Sequence, residues 1–209
     1  MLKDRVEQRP ATLSPSQFSR IMAVKGLGKD AETYSIELVH QLLGVPKDDF
    51  TSYAMQWGVD NEPFAVQKYE QMNLVEVKRN VRQYHPEYDF ISGEVDGLVG
   101  DDGIIEIKCP SSANHLKNLF YGEQLENYKY QIQGYLWIFG REWCDFISYD
   151  PRFKEEKHAI SIHAVERDQA MIDLIEERCL EFWNELVLPK LNRLEELSWK
   201  SICKINRNS

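Results

Sequence analysis

The segment from Ile91 to Pro110 constrains this chain more than any other, because its pattern fits a β-hairpin. Two runs rich in β-branched and apolar residues, Ile91–Val99 and Ile104–Lys108, flank the turn formers Gly100-Asp101-Asp102-Gly103. Side chains alternate across a strand, so Ile104, Glu106 and Lys108 share one face while Ile105, Ile107 and Cys109 share the other. With the turn near 101–103, Asp96 falls roughly opposite Glu106, giving the pattern Asp-x9-Glu-x-Lys. Two carboxylates brought together repel each other unless a cation bridges them, and hard oxygen ligands favour Mg²⁺ or Mn²⁺. The backbone carbonyl of Ile107 is placed as a third ligand, and Lys108 can orient an attacking water or stabilise charge growing on a phosphate. This is what metal-dependent cleavage of a phosphodiester needs. The plainer alternative is a polar hairpin face with a surface ion pair between Glu106 and Lys108. Against it, both charges interrupt the apolar run Ile104-Ile105-Ile107, where an unpaired charge is costly. Gly97, directly after Asp96, is expected to leave room for a ligand.

The elements around the hairpin alternate helix and strand. Ser14-Pro15-Ser16-Gln17 carries a capping serine, a proline at the first helical position and a glutamine suited to a capping box, which predicts a helix over 15–24. A second helix is expected over 32–43, with Ile36, Val39, Leu42 and Leu43 on one face and Gly44 as terminator. A third helical region spans 52–72, where Pro63 predicts a kink or fresh start at Glu62. Beyond a strand over 74–84 and the hairpin, a buried helix is expected over 128–139, strands over 143–149 and 158–165, and an amphipathic helix over 167–188 stopped by Pro189. The order predicts a mixed α/β fold, a central mixed sheet flanked by helices, in one domain over 1–209. Its parts would be N-terminal helices (1–72), a sheet with helices (73–189) and a more basic tail (190–209).

Composition narrows the function class. A formal net charge of −9 argues against coating nucleic acid by charge alone, since nonspecific binding is driven by Lys and Arg displacing counterions, but it allows a local basic lining and bound cations. No apolar run approaches the roughly 18 residues of a membrane span, and the charged start Met1-Leu2-Lys3-Asp4-Arg5 is not a signal peptide, so a cytoplasmic location is expected. Cys109, Cys144, Cys179 and Cys203 are widely spaced, which disfavours zinc or iron–sulfur ligation and predicts reduced thiols, at least two of them in the core. The five histidines are scattered and read as structural, with His158 and His163 on opposite faces of one strand. Tyr128, Tyr130, Tyr135, Trp137 and Phe139 read as core, with base stacking as the alternative.

In order and spacing, several motifs together resemble the phage lambda exonuclease family, also called the YqaJ-type viral recombinases, of the PD-(D/E)xK nuclease superfamily. They are Ser14-Pro15-Ser16, Gly58 with Glu62, Asp96-Gly97-Leu98, Glu106-Ile107-Lys108-Cys109-Pro110, Tyr130-Gln131-Ile132-Gln133 with Tyr135-Leu136-Trp137, and Tyr149-Asp150-Pro151-Arg152. The resemblance implies a restriction-endonuclease-like core and a Mg²⁺-dependent exonuclease, with Mn²⁺ substituting and two ions per site. It implies digestion of one strand of duplex DNA from its 5′ end, leaving 3′ overhangs for recombination. By the same resemblance the metals are held at Asp96, Glu106 and the carbonyl of Ile107, with Glu62 nearby. Lys108 is catalytic, Gln131 lies beside the site, and Arg9 and Ser16 bind the 5′ phosphate. It further implies a homotrimeric ring around DNA, a single-strand annealing partner, and a phage or prophage gene in a bacterial host. One position departs from the pattern: Glu94 stands where the lambda enzyme has a serine, which points to a rebuilt phosphate pocket.

Physical chemistry supports part of this separately. Ser14 and Ser16 lie at a predicted helix N-terminus, where unpaired N–H groups favour an anion, and Arg9 can add a bidentate phosphate contact; simple capping is the alternative for the serines. Arg152 reads either as a structural corner or as a DNA contact. Two other functions fit the same core: a RecB/Cas4-like or other endonuclease, and a non-catalytic DNA-binding protein. The cysteine spacing disfavours a Cas4-like cluster, and the intact Asp96, Glu106 and Lys108 disfavour loss of catalysis.

Overall fold

The structure is a computed structural model that describes residues 11–45, 52–122 and 124–205, with the side chains of 124 and 198–205 left aside. Five strands form one mixed sheet in sequence order: β1 (Val77–Tyr84), β2 (Ser92–Val99), β3 (Gly103–Lys108), β4 (Trp143–Tyr149) and β5 (Ile160–Glu166). Neighbours are antiparallel except β3 and β4, which run parallel in the register Glu106↔Phe146 and Lys108↔Ser148. Parallel strands need a crossover, and here it is made by helices α3 (Ser112–Tyr121) and α4 (Gln124–Phe139). The mixed sheet flanked by helices expected from the sequence is therefore what is observed.

Each face of the sheet has its own core. Helix α2 (Tyr53–Asn73) lays Ala65, Val66 and Tyr69 against Val77, Val99, Ile105, Ile107, Ile147 and Ile160. On the other face Ile132, Leu136 and Phe139 of α4 pack with Ile104, Cys144, Phe146 and Val95. Helices α1 (Lys29–Leu42) and α5 (Gln169–Phe182) complete that layer through Tyr34 and Leu38, and through Ile175, Cys179 and Phe182. At about 25 cal/mol per Å² of apolar surface, each fully buried aliphatic or aromatic side chain stabilises the fold by roughly 1.5–3 kcal/mol. Cys144 and Cys179 are buried, and Cys109, Cys144 and Cys179 are free thiols, as expected.

Several local expectations are corrected. The segment after Ser14 is a six-residue 3₁₀ turn, Pro15–Arg20, and Ser14 makes no side-chain cap. Its close seat explains the tightness: a Cβ on Gly134 of α4 would lie 2.5 Å from Phe18, so only a glycine there lets the turn reach the helix. In α1, Ile36, Leu42 and Leu43 are exposed while Tyr34, Ser35, Leu38 and Val39 are buried, so the apolar face is rotated; Gly44 does follow the helix at φ 73°. Helix α2 passes through Pro63 without a fresh start. Ser52 caps it by accepting from the Met55 N–H at 3.2 Å, and the Val59 carbonyl deprived by Pro63 belongs to a residue on an open cleft, where solvent can satisfy it.

Pro189 likewise ends nothing. A π-turn over Trp183–Val187 carries α5 directly into helix α6 (Leu188–Ile205), with the Leu188 N–H donating to the Trp183 carbonyl. The i→i−5 step of that turn falls just before Pro189, whose missing N–H interrupts the regular ladder. Helix α3 is an element beyond those expected from the sequence, capped by Ser111 and closed by Gly122 at φ 62°. His158 belongs to the short turn Glu156–Ala159 before β5, not to the strand.

Candidate active site

The hairpin register continues past its last pair. Gly97↔Ile105, Leu98↔Ile104 and Val99↔Gly103 are paired, and one further step sets Asp96 opposite Glu106. The strands part there: the Ile107 N–H donates to Asp96 Oδ2 at 2.6 Å. Glu106 is 2% exposed on the face covered by α4. Its Oε1 accepts from Lys108 Nζ at 2.5 Å and from Gln131 Nε2 at 2.8 Å. Gln131 comes from the middle of α4 and its amide also donates to the Tyr135 hydroxyl oxygen at 3.2 Å. Lys108 lies over the Tyr128 ring, 4.7 Å from its centre. Gln131 of α4 thus joins Asp96, Glu106 and Lys108 of the hairpin at one corner.

The electrostatics of this corner are strained in one direction. Burial, then the neighbouring Glu106 and Glu62 carboxylates, push the Asp96 carboxyl well above the usual aspartate range, against the pull of the Ile107 N–H and Lys108. Burial acts to lower Lys108, but its contact with Glu106 and the nearby Asp96 outweigh this and hold the ammonium above the usual lysine range. Burial and Glu106 raise Tyr135, which keeps it a neutral phenol. Two crowded carboxylates, one of them reluctant to ionise, beside the backbone carbonyl of Ile107 are a donor set that a hard divalent cation relieves. The residues present therefore fit Mg²⁺ or Mn²⁺. Among the described residues no three His, Cys, Asp or Glu side chains stand together for a metal, and Glu62 turns instead to Arg79, whose Nη2 donates to its Oε1 at 3.4 Å.

Through Asp96 and Tyr135 the corner borders a cleft of about 840 Å³. Glu62 and Pro63 of α2, Asp96 and Glu94 of β2, Arg79, Asn80 and Arg82 of β1, and Ser14 and Ser16 line it. The residues before the 3₁₀ turn are pinned to the sheet: Leu13 N–H donates to the Phe90 carbonyl at 2.8 Å, and the Ser92 N–H to the Leu13 carbonyl at 3.1 Å. Ser14 and Ser16 hydroxyls lie 3.1 Å apart, and Thr12 and Ser92 hydroxyls 2.6 Å apart. Arg82 Nη2 donates to Ser92 Oγ at 2.8 Å. The capping reading of Ser14 fails, and Gln17 closes no capping box; its side chain accepts from Arg20. Arg9 lies outside the described residues.

A model of the YqaJ-like viral recombinase domain matches residues 5–142, which include the whole acid corner. The chain belongs to this family. Protein YqaJ of Bacillus subtilis (strain 168) is 32% identical over 153 residues, 69% of this chain, and the match spans 44% of that protein's length. The crystal structure of an alkaline exonuclease, LHK-Exo, from Laribacter hongkongensis superimposes with a TM-score of 0.85 at 30% identity, covering 95% of this chain and 98% of that one. The same enzyme has been solved in complex with dAMP, with the same degree of likeness. A phage-related exonuclease from Haemophilus somnus 129PT shares the fold, with a TM-score of 0.71 at 19% identity over 88% of this chain and 97% of that one.

Within this YqaJ-like domain, sequence reasoning missed Arg79, Asn80, Arg82, Thr12 and Ser92 as cleft residues. Arg79 and Arg82 sit in a polar strand, Val77–Tyr84, whose exposure pattern carries no alternation to mark a face. Gly97 has a different job from the one expected: a Cβ there would come within 2.2 Å of Val77 and 3.0 Å of Ile105. It serves sheet packing, not ligand access. Arg152 resolves as a structural corner, donating to Asp150 and to the Pro110 carbonyl. Tyr135 and Phe139 are buried, and Tyr128, Tyr130 and Trp137 pack on the same core, so the aromatic series is core. His115, buried between Ser148 Oγ and the His158 carbonyl at 2.8 Å each, is structural too. Among the described residues no helix is long and apolar enough to cross a membrane.

Proposed function

We propose that this protein is a divalent-cation-dependent 5′→3′ exonuclease that degrades one strand of linear duplex DNA and leaves 3′ overhangs for single-strand annealing recombination. The observation that carries the reading is the convergence of Glu106, Lys108 and Gln131 beside Asp96, which itself lines an open cleft. It is supported by the likeness, over nearly the full length of both chains, to an alkaline exonuclease that has been solved with dAMP.

Asp96, Glu106 and the Ile107 carbonyl would hold Mg²⁺ or Mn²⁺, with a second ion toward Glu62; the cation supplies charge neutralisation on the phosphate and a more acidic water. The chain's own residues do the rest. Gln131 and Tyr135 fix the plane of the Glu106 carboxylate, which keeps its donor atoms from swinging with each turnover. Lys108, cationic across the working pH range, orients the attacking water and meets the negative charge that develops on the phosphate oxygens. The water oxygen bonds to phosphorus, the P–O3′ bond breaks, and the departing 3′ oxygen takes a proton. A 5′ phosphate remains on the shortened strand, ready for the end of the cleft formed by Ser14 and Ser16, with Arg9 as its cationic contact.

A homotrimeric ring around the duplex and an annealing partner complete the proposal, with action in the host cytoplasm on phage or prophage DNA. A closed ring holds DNA topologically, so a chain of net charge −9 needs fewer phosphate contacts for processivity. Digestion of linear duplex with Mg²⁺, comparing 5′-phosphate and 5′-hydroxyl ends, tests the activity: faster loss of phosphorylated ends is expected, and cutting of closed circles without end dependence would sink it. Sedimentation giving a lasting monomer would remove the ring.

A further inference from the structure

We propose that Arg79 is a phosphate-binding residue of the cleft, held on Glu62 and released to the DNA backbone when that carboxylate takes up a cation. The inference rests on the nuclease reading above and deepens it. Its starting point is a backbone irregularity. Asn80 has φ 53°, left-handed and uncommon outside glycine, and it stands in β1 at the step between Arg79↔Gly97 and Val81↔Val95, across from Asp96. The two strands change sides together at this step. Val77 and Val99 belong to the core under α2, whereas Val81 and Val95 belong to the core under α4. As a result Arg79, Asn80 and Arg82 all line the cleft, where strict alternation would turn Arg79 away from the other two.

Arg79 is placed beside the acids but loosely held. Its contact with Glu62 is a single one at 3.4 Å, with both side chains partly exposed. Two other arginine–carboxylate pairs among the described residues are two-pronged and short: Arg20 with Glu37 at 2.6 and 2.8 Å, and Arg152 with Asp150 at 2.7 and 2.9 Å. A partly exposed, single-contact pair contributes little to stability, so either partner can be exchanged for a better one. A phosphate suits the planar guanidinium, which can grip two of its oxygens. A cation suits Glu62, which already adds to the crowding of charge at Asp96. Loading the acid corner and freeing Arg79 for DNA then become one event, and the cleft binds its anionic substrate most tightly when the cation is present.

The test measures binding, in a Lys108→Ala background in which cleavage is slow enough for the duplex to outlast the titration. A short 5′-phosphorylated duplex is titrated by fluorescence anisotropy with Mn²⁺ and with EDTA, and Mn²⁺ alone is titrated by calorimetry. Arg79→Gln is expected to weaken DNA binding about tenfold with Mn²⁺ and little in EDTA, to lower the salt slope by about one, and to tighten Mn²⁺ binding severalfold. Glu62→Gln is expected to raise DNA affinity in EDTA toward the value with Mn²⁺. An equal loss with and without Mn²⁺ in Arg79→Gln, or unchanged DNA affinity in both variants, would overturn the inference. Failure of the wild-type protein to cut linear duplex would sink the nuclease reading and leave these binding results to be judged separately.

Discussion

Two neighbouring strands of this sheet each carry an acid followed, two residues on, by a cation, and the two pairs do opposite things. On β3, Glu106 is paired with Lys108; just past β4, its parallel neighbour, Asp150 is paired with Arg152. Both acids are buried, with side chains 3% and 0% exposed. Asp150 is saturated. Its Oδ1 accepts from the Arg152 backbone N–H and Nε, and its Oδ2 from Arg152 Nη2. Arg152 in turn lies 4.6 Å from the centre of the Trp57 ring and bonds the Pro110 carbonyl, so the pair clamps the corner after β4 to α2 and to the end of β3. Glu106 takes Lys108 and Gln131 on one oxygen and faces Asp96, a second acid. The same acid–x–cation spacing gives a clamp where donors fill the carboxylate, and the proposed reactive corner where another carboxylate crowds it.

The sharpest way to break the comparison is to remove each cation. Lys108→Ala should lower cleavage of linear duplex by about 10³-fold, roughly 4 kcal/mol of lost transition-state stabilisation, while the unfolding midpoint moves little. Arg152→Ala should do the reverse, leaving the rate per folded molecule near wild type and lowering the midpoint. Single-turnover rates set beside thermal melts check both. Wild-type turnover in Lys108→Ala would strip the lysine of its role.

The acids sharpen the same contrast at a smaller scale. Asp150→Asn keeps the shape of the side chain but removes the charge that Arg152 grips, so it should cost about 2–3 kcal/mol of folding stability in urea unfolding. That is at the low end for a buried pair because Arg152 itself is 45% exposed. A loss below about 0.5 kcal/mol would mean that Arg152 is held by Trp57 and Pro110 alone.

How much of this was legible beforehand follows the range of the interactions involved. The hairpin, its turn and the shared face of Glu106 and Lys108 are set by strand alternation and by local turn chemistry, and they were read correctly. Gln131 reaches Glu106 only through the packing of α4 on the sheet; its placement came from resemblance to relatives, not from any local pattern. Ile36, Leu42 and Leu43 misled because a helix face was inferred from apolar spacing when Tyr34 and Ser35 were the residues turned inward. Pro189 misled for another reason: proline deletes a hydrogen bond, and whether that ends a helix depends on what else can satisfy the carbonyl; α2 likewise runs on through Pro63. The arginines of the cleft had no signal at all, because the left-handed Asn80 that gathers them is a tertiary feature of the paired β1 and β2 strands.

The smallest effect is also the one that separates the two acids most directly, because they should pull stability in opposite directions with pH. Asp96 holds its proton more tightly in the fold than in the unfolded chain, since burial and then Glu106 raise it. In EDTA its contribution is therefore most favourable below the ordinary aspartate range and declines as pH rises toward its folded value. Asp150 runs the other way. Burial would raise it, but the bonds from Arg152 and Ser112 outweigh burial and hold it low, so its stabilisation is present above the ordinary range and is lost as pH falls through the folded value. Either group gives a slope of at most about 1.4 kcal/mol per pH unit. Urea midpoints across pH should lose the downward trend above the ordinary aspartate range in Asp96→Asn and the upward trend below it in Asp150→Asn. Adding Mn²⁺ should abolish the first trend and leave the second, because the cation replaces the proton that crowding forces onto Asp96, whereas Arg152 already occupies the place a cation would take at Asp150. If Mn²⁺ altered both slopes alike, the two acids would not differ in kind, and the division between clamp and reactive corner would fall.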